Sequence, residues 1–151
     1  MTTALLVLIT CLALLASAVK PVPVGQVHSL HRGGKLLRLL QPGTHLVLPG
    51  LERIGHRIDL NGQVMHFREA LAPTRDIHGK VYWQVLEPER ADAVIDQVEQ
   101  LIRTGTLDAL QAEAAGADED RRHLGSRLKL RLNAALRERG MLVTRVDLDL
   151  A

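Results

Sequence analysis

Three serines and seven histidines are the side chains of this 151-residue sequence best able to do chemistry. Ser29 lies near His28 and His31, the residue types that serine hydrolases pair so that an imidazole can take the hydroxyl proton. Such a centre also needs an acid to orient the imidazole and a nucleophile exposed on a strained Gly-x-Ser-x-Gly turn. Neither accompanies Ser29, and neighbours along a strand point to opposite faces. Ser17 and Ser126 lack the turn as well. His28, His31, His45, His56 and His66 suggest a second chemistry, imidazole coordination of a metal across strands. No His-Glu-x-x-His run or cysteine pair fixes its geometry. Cys11, the single cysteine, sits in an apolar run, which excludes an intrachain disulfide and a cysteine-based zinc site. Arg32-Gly33-Gly34-Lys35 lacks the Lys-Ser/Thr ending of a phosphate-cradling loop and reads as a hairpin turn. The sequence therefore assigns no catalytic, cofactor-binding or metal residue, and the chain is expected not to be an enzyme.

The totals narrow the classes further. An apolar fraction of 46% with 24% charged residues is a globular composition, and the length suffices for one substantial core. A net charge of +2 is too slight to imply a polyanionic partner. One each of Trp, Tyr and Phe cannot build a stacking platform for single-stranded nucleic acid, so no nucleic-acid partner is expected.

Met1 to Val19 carries no charged side chain, and Lys20 is the first. As a helix it would extend roughly 28 Å, close to the ~30 Å hydrocarbon core of a bilayer. The expected organisation is thus a transmembrane anchor over 1–19 and one domain over 20–151. A cleaved secretory signal is the alternative, because Ala16-Ser17-Ala18 has the small-x-small form of a cleavage site. Against it, no Lys or Arg precedes the apolar run. Lys20, Arg32, Lys35 and Arg38 follow the run closely, so the positive-inside rule predicts a single-pass protein of the cell membrane with its domain in the cytoplasm.

From Val22 to Pro49 two turn signals separate three apolar runs. Arg32-Gly33-Gly34-Lys35 and Pro42-Gly43, the latter suited to a type II turn, predict a small antiparallel meander. Ile54, His56, Ile58 and Leu60 then alternate with Gly55, Arg57 and Asp59 as a half-buried strand, and Asn61-Gly62 reads as a hairpin turn into Gln63 to Phe67. A further strand has Ile77, Gly79, Val81, Trp83 and Val85 on one face. Pro88 starts a helix with Ala91, Val94, Ile95, Val98, Leu101 and Ile102 inward, stopping at Gly105. Thr106 caps a short second helix ending near Gly116. The third helix runs from Asp118-Glu119-Asp120 to Arg139, with Leu124, Leu128, Leu132 and Leu136 in a stripe and Gly140 closing it. A last strand covers Leu142 to Leu150, with Thr144, Val146, Leu148 and Leu150 on one face.

The order of residue types from Val22 to Pro49 resembles the opening of the SPFH or band 7 domain of stomatins, prohibitins and flotillins, whose pattern is close to VPxGxVxxxxRxGKxxRxLxPGxHxxxP. Val22, Pro23, Gly25, Val27, Arg32, Gly34, Lys35, Arg38, Leu40, Pro42, Gly43, His45 and Pro49 fall on it without a gap. Arg53, Asp59 and Leu60 continue the likeness, the stretch from Val81 to Pro88 is similar to the family's strand before its first helix, and Gly140 to Leu148 is similar to its closing GIxVxxVxI strand. Between Phe67 and Ile77 the sequence departs from the pattern, with Thr74-Arg75-Asp76 standing for a TKD-type stretch, and a shortened hairpin is expected there.

The resemblance implies an α+β fold, a curved and mainly antiparallel sheet with helices packed on one side, here preceded by one N-terminal transmembrane helix. It also implies a membrane-anchored scaffold that organises microdomains or regulates membrane proteins such as proteases. The expected partners are membrane lipid and copies of itself or related SPFH proteins. Val22, Val24, Leu36, Leu37, Leu46 and Leu48 are either core or monotopic contacts with the lipid interface, with Lys35 and Arg38 near lipid phosphates. The family continues from its last strand into a coiled coil that this sequence does not contain before Ala151, so weaker self-association is expected. From another class, the alternative is a secreted or periplasmic non-catalytic binding module released after Ala18.

Overall fold

A computed structural model describes residues 2–72, 75–113 and 121–150, in two compact units, Met1–Asp59 and Leu60–Ala151. The first unit begins with helix α1 (Thr2–Ala18) and continues with strands β1 (Val19–Val22), β2 (Gln26–Arg32), β3 (Lys35–Leu40), β4 (Gly43–Leu46) and β5 (Glu52–Asp59). β1 and β4 form an antiparallel pair, and β3, β2 and β5 form an antiparallel sheet in that order. The hairpin at Gly33-Gly34 forms as the sequence predicts, since both glycines take the left-handed φ, 58° and 79°, that a tight two-residue turn demands. As the central strand, β2 is covered on both faces, and Val27, His28, Ser29 and Leu30 are all buried. Val22, Leu30, Leu40 and Val47 gather into the core cluster of this unit.

Three expectations for the chain up to Gly62 are corrected. The predicted membrane span over 1–19 shortens to 17 residues, because Val19 is already extended and paired with Leu46. At 1.5 Å per residue α1 reaches about 26 Å, short of the ~30 Å hydrocarbon core. No helix among the described residues is long and apolar enough to cross a membrane. The N-terminal transmembrane helix in the expected fold therefore falls, and with it the single-pass cell-membrane placement and the cytoplasmic orientation. The meander also does not continue past β3. Gly43 has a φ of 136°, not the value near 80° of a type II turn, and the chain departs to pair with β1. Finally, Asn61-Gly62 makes no hairpin: Gly62 lacks a positive φ, and the following strand pairs onward along the chain instead of back to β5.

The second unit contains β6 (Gln63–Ala72), β7 (Arg75–Val85), α2 (Pro88–Ala91), a 3-10 turn (Ile95–Gln97), α3 (Val98–Glu113), α4 (Arg121–Leu136), a second 3-10 turn (Arg137–Arg139) and β8 (Met141–Leu150). It is α+β, with an antiparallel sheet in the order β6, β7, β8. α3 packs on β6 and α4, and α4 packs on β8. The predicted inner face of β7 is observed: Ile77, Gly79, Val81, Trp83 and Val85 are all buried. Met65 and Phe67 from β6 and Met141 and Val143 from β8 join them in burial. The leucine stripe of α4 is observed too, with Leu128, Leu132 and Leu136 almost wholly buried, each stabilising the fold by about 1.5–3 kcal/mol.

Several boundaries differ from the sequence reading. The β6–β7 hairpin pairs continuously to its tip, through Ala72 opposite Arg75. The first helix breaks after Ala91 into turns and resumes at Val98, whereas Gly105 does not stop it. A Cβ at Gly105 would lie 2.9 Å from Leu132 Cδ2, so this glycine serves the close approach of α3 to α4. Thr106 is not a cap, because its hydroxyl donates back to the Ile102 carbonyl within α3 at 2.7 Å. The predicted helix ends at Gly116 and at Asp118-Glu119-Asp120 lie outside the described residues. On β8 a bulge at Thr144, between the pairs Tyr82–Arg145 and Trp83–Val143, switches the alternation. Met141 and Val143 are buried ahead of it, Val146 and Leu148 are half-buried after it, and Thr144 is exposed.

Candidate functional site

In the first unit, the six apolar residues that the sequence offers as core or lipid contact divide. Val22 is core, whereas Val24, Leu36, Leu37, Leu46 and Leu48 are exposed. Lys35 and Arg38 are exposed beside them on β3. Leu51, which the sequence reading missed, is 67% exposed and belongs with this set. Its signal was available, as an apolar residue following the Pro49-Gly50 turn.

Leu48 and Leu51 are held outward by a closed loop. The amides of Leu51 and Glu52 donate to the Leu48 carbonyl at 3.3 and 3.0 Å, and Gly50 takes a φ of 82° to allow it. The Glu52 carboxylate accepts the Leu48 amide at 3.0 Å and the Arg32 guanidinium at 2.6 Å. Those bonds, the Leu48 amide first, hold the Glu52 carboxyl below the usual carboxylate range. Glu52 thereby ties the leucine loop to the β2–β3 hairpin end, where Arg32 pairs with Lys35 and His31 with Leu36. The result is a set of exposed leucines on a fixed backbone, with cations beside them. α1 adds apolar surface and contributes no buried side chain. Its last carbonyl, at Ala18, accepts the Val47 amide at 2.8 Å, one residue from Leu48.

The residues suggestive of catalysis form a bulge. Ser29 lies opposite two residues of β5, because His28 pairs with Arg57 and Leu30 pairs with Ile54. Its hydroxyl accepts the amide of His56 at 2.8 Å and so satisfies backbone that the bulge frees. Gly55 is required there, since a Cβ would come 2.1 Å from the His31 ring. The His31 and His56 rings meet edge to face at 5.9 Å. Ser29 is fully buried and bonded to backbone, not presented to an imidazole as a nucleophile.

The other histidines singled out by the sequence are not assembled into one centre. His45 bonds the Gln41 carbonyl at 2.7 Å through Nε2, and His66 belongs to the second unit. Among the described residues no group of three or more His, Cys, Asp or Glu side chains is placed to hold a metal ion.

His28 is 4% exposed, and neither ring nitrogen has a hydrogen-bond partner among the described residues. Burial, followed by the charge of Arg57 and the proximity of His45, pushes its pKa below the ordinary 6.5. The unfolded chain therefore binds the proton more readily than the folded one. Stability is full above about pH 6.5 and declines as pH falls from there toward the depressed folded value. The slope contributed by this one proton is at most about 1.4 kcal/mol per pH unit. Amide hydrogen exchange of β2 and β5 between pH 7 and pH 5 should show the decline, and His28→Leu should flatten it. An equally steep decline in that variant would assign the effect to another group.

No family model matches this chain.

Proposed function

We propose that this chain is a non-catalytic scaffold of the SPFH or band 7 type that seats its first unit on a lipid surface and gathers copies of itself, related chains and membrane proteins such as proteases. The observation that carries the reading is the closed loop that holds Leu48 and Leu51 in the open, with Leu36 and Leu37 exposed on β3 and Lys35 and Arg38 beside them. Exposed leucines rimmed by cations suit a surface whose interior is hydrocarbon and whose headgroups are anionic. The order of residue types from Val22 to Pro49 supports the family reading. The buried, backbone-bonded Ser29 supports the absence of hydrolysis.

The test is co-sedimentation of the full chain with vesicles of phosphatidylcholine and phosphatidylglycerol. Replacing Leu48 and Leu51 together with glutamine should weaken partitioning by about tenfold or more, given roughly 1.5–3 kcal/mol for each fully buried leucine. Leu130→Gln, at an equally exposed leucine of the second unit, should change nothing. A second arm lacking residues 2–18 reads the leucine effect without α1, none of whose own side chains is buried. Partitioning indifferent to the double substitution in both arms would sink the lipid-surface reading.

A second reading is favoured by one observation. α1 ends at Ala18, the last residue of the small-x-small tripeptide, and buries none of its side chains. Cleavage there would leave the strands intact and release a secreted or periplasmic binding module. The mass of the chain purified from its own cell decides: an N-terminus at Val19 selects this reading.

A further inference from the structure

The outer face of the β6–β7–β8 sheet carries an arrangement that the scaffold reading does not use. His66 lies directly opposite Lys80, and Arg68 directly opposite His78. These rows set imidazoles beside an ammonium and a guanidinium on one face of the sheet, a group of hydrogen-bond donors side by side. On the other flank β8 supplies acids, Asp147 opposite Lys80 and Asp149 opposite His78, but no acid stands on the β6 flank of these two rows. Arg68 is compensated by Asp76 at 3.0 Å. Lys80 and Arg103 form no ion pair with a described residue.

Arg103 comes from α3, a separate element, and lines the same cleft of about 480 Å³ as His66, Arg68, His78, Lys80 and Asp149. That volume lies within the range of small-molecule sites. Phe67 and Gly79 lie between these two rows, the Phe67 ring packed over Gly79 on the buried face of the sheet. The cleft thus offers guanidinium, ammonium and imidazole donors from a sheet and a helix. A cluster of phosphate oxygens matches this donor set.

We propose that this cleft binds a phosphate monoester, its dianion held by Lys80 and Arg103 with His66 and His78 donating. Asp149 opposes the anion and sets a ceiling on affinity. The ligand chemistry has two possible sources, a soluble phosphomonoester and the headgroup of phosphatidic acid, and the proposal is independent of the leucine loop.

The test uses the full chain and two probes of matched chemistry: sn-glycerol 3-phosphate in solution, and vesicles of phosphatidylcholine with and without phosphatidic acid. Glycerol 3-phosphate is expected to saturate, with amide shifts confined to β6, β7, the Asp149 end of β8 and the start of α3. Lys80→Gln and Arg103→Gln should each weaken it about tenfold, the scale of one charge-assisted contact. Asp149→Asn should tighten it, a direction that a purely structural role does not produce. Dependence on Lys80 and Arg103 seen only with phosphatidic acid vesicles supports the site and assigns the lipid source. The proposal is overturned if neither probe distinguishes Lys80→Gln and Arg103→Gln from the parent while Trp83 fluorescence shows all three folded.

Discussion

Replacing Gly140 with alanine is expected to destabilise the unit of residues 60–151 by about 3 kcal/mol or more. Gly140 closes the turn after α4 with a φ of 74°, where a side chain costs roughly 1–2 kcal/mol. Its carbonyl accepts two amides, Leu86 at 2.9 Å and Glu87 at 3.0 Å, and its own amide donates to the Arg137 carbonyl. The residue therefore joins the end of α4 to the exit of β7, and little room is left: a Cβ would stand 2.4 Å from the Glu87 carbonyl oxygen. That oxygen is backbone and also accepts the amides of Arg90 and Ala91 at the start of α2, so relief requires moving a helix start. Asparagine tolerates a left-handed φ better than alanine, yet its Cβ meets the same oxygen. Gly140→Asn should accordingly fail to rescue stability. Gly34 has a similar φ of 79°, but a Cβ there would meet nothing within 4 Å, so Gly34→Asn should be nearly neutral. Urea unfolding followed by Trp83, the single tryptophan and 7% exposed, reads this unit directly. Rescue by asparagine at Gly140 would show that φ alone, and not the Glu87 contact, holds the position.

What the sequence made legible is local and periodic. The inner face of β7 was visible because every second residue from Ile77 to Val85 is apolar or glycine, and such a run has one way to bury itself. The leucines of α4 were visible for the same reason at helical spacing, as was the two-glycine turn at Gly33-Gly34. Partner choice was not legible. Pro42-Gly43 and Asn61-Gly62 both carry turn chemistry, but a turn dipeptide fixes only its own backbone, and each leads to a strand that pairs elsewhere. Bulges were hidden as well. One extra residue at Thr144 reverses the parity of β8, so a simple alternation count assigned Thr144 to the wrong face.

The surface residues show the same division. Leu36, Leu37 and Leu48 were recognisable as residues needing an apolar neighbour, but whether that neighbour lies inside the fold depends on pairing, which sequence alone does not encode locally. Val22 found the core and the leucines did not. The cleft on the second unit was less legible still. His66, Arg68, His78, Lys80 and Arg103 are scattered over two strands and a helix, and only the register brings them together. The length of α1 was misjudged for a related reason: pairing with Leu46 draws Val19 into a strand, although its side chain suits helix and strand alike.

Asn133 is the residue whose importance nothing in the sequence announces, and Asn133→Leu is expected to destabilise the second unit by about 2–4 kcal/mol. In sequence it is one polar position on the amphipathic helix α4. In the fold its Nδ2 donates to the Val143 carbonyl at 3.0 Å, while its Oδ1 accepts the Val143 amide at 2.7 Å. The side-chain amide thus takes the place of a neighbouring strand at one residue of β8, an edge strand whose outward backbone would otherwise lack a partner beneath α4. Val143 itself is wholly buried, so water cannot readily replace the lost bonds. Leucine removes both bonds and leaves a backbone donor and acceptor unmet. Aspartate keeps the shape and the acceptor but turns a second oxygen toward the Val143 carbonyl, so Asn133→Asp should also be costly at neutral pH and partly recover as the carboxyl protonates. Glutamine is one methylene too long for the same two contacts. The measurement is urea unfolding by Trp83 fluorescence together with hydrogen exchange at Val143, which should accelerate in both variants ahead of its β7 partners. A Val143 amide as protected in Asn133→Leu as in the parent would show that the strand edge is satisfied by other means.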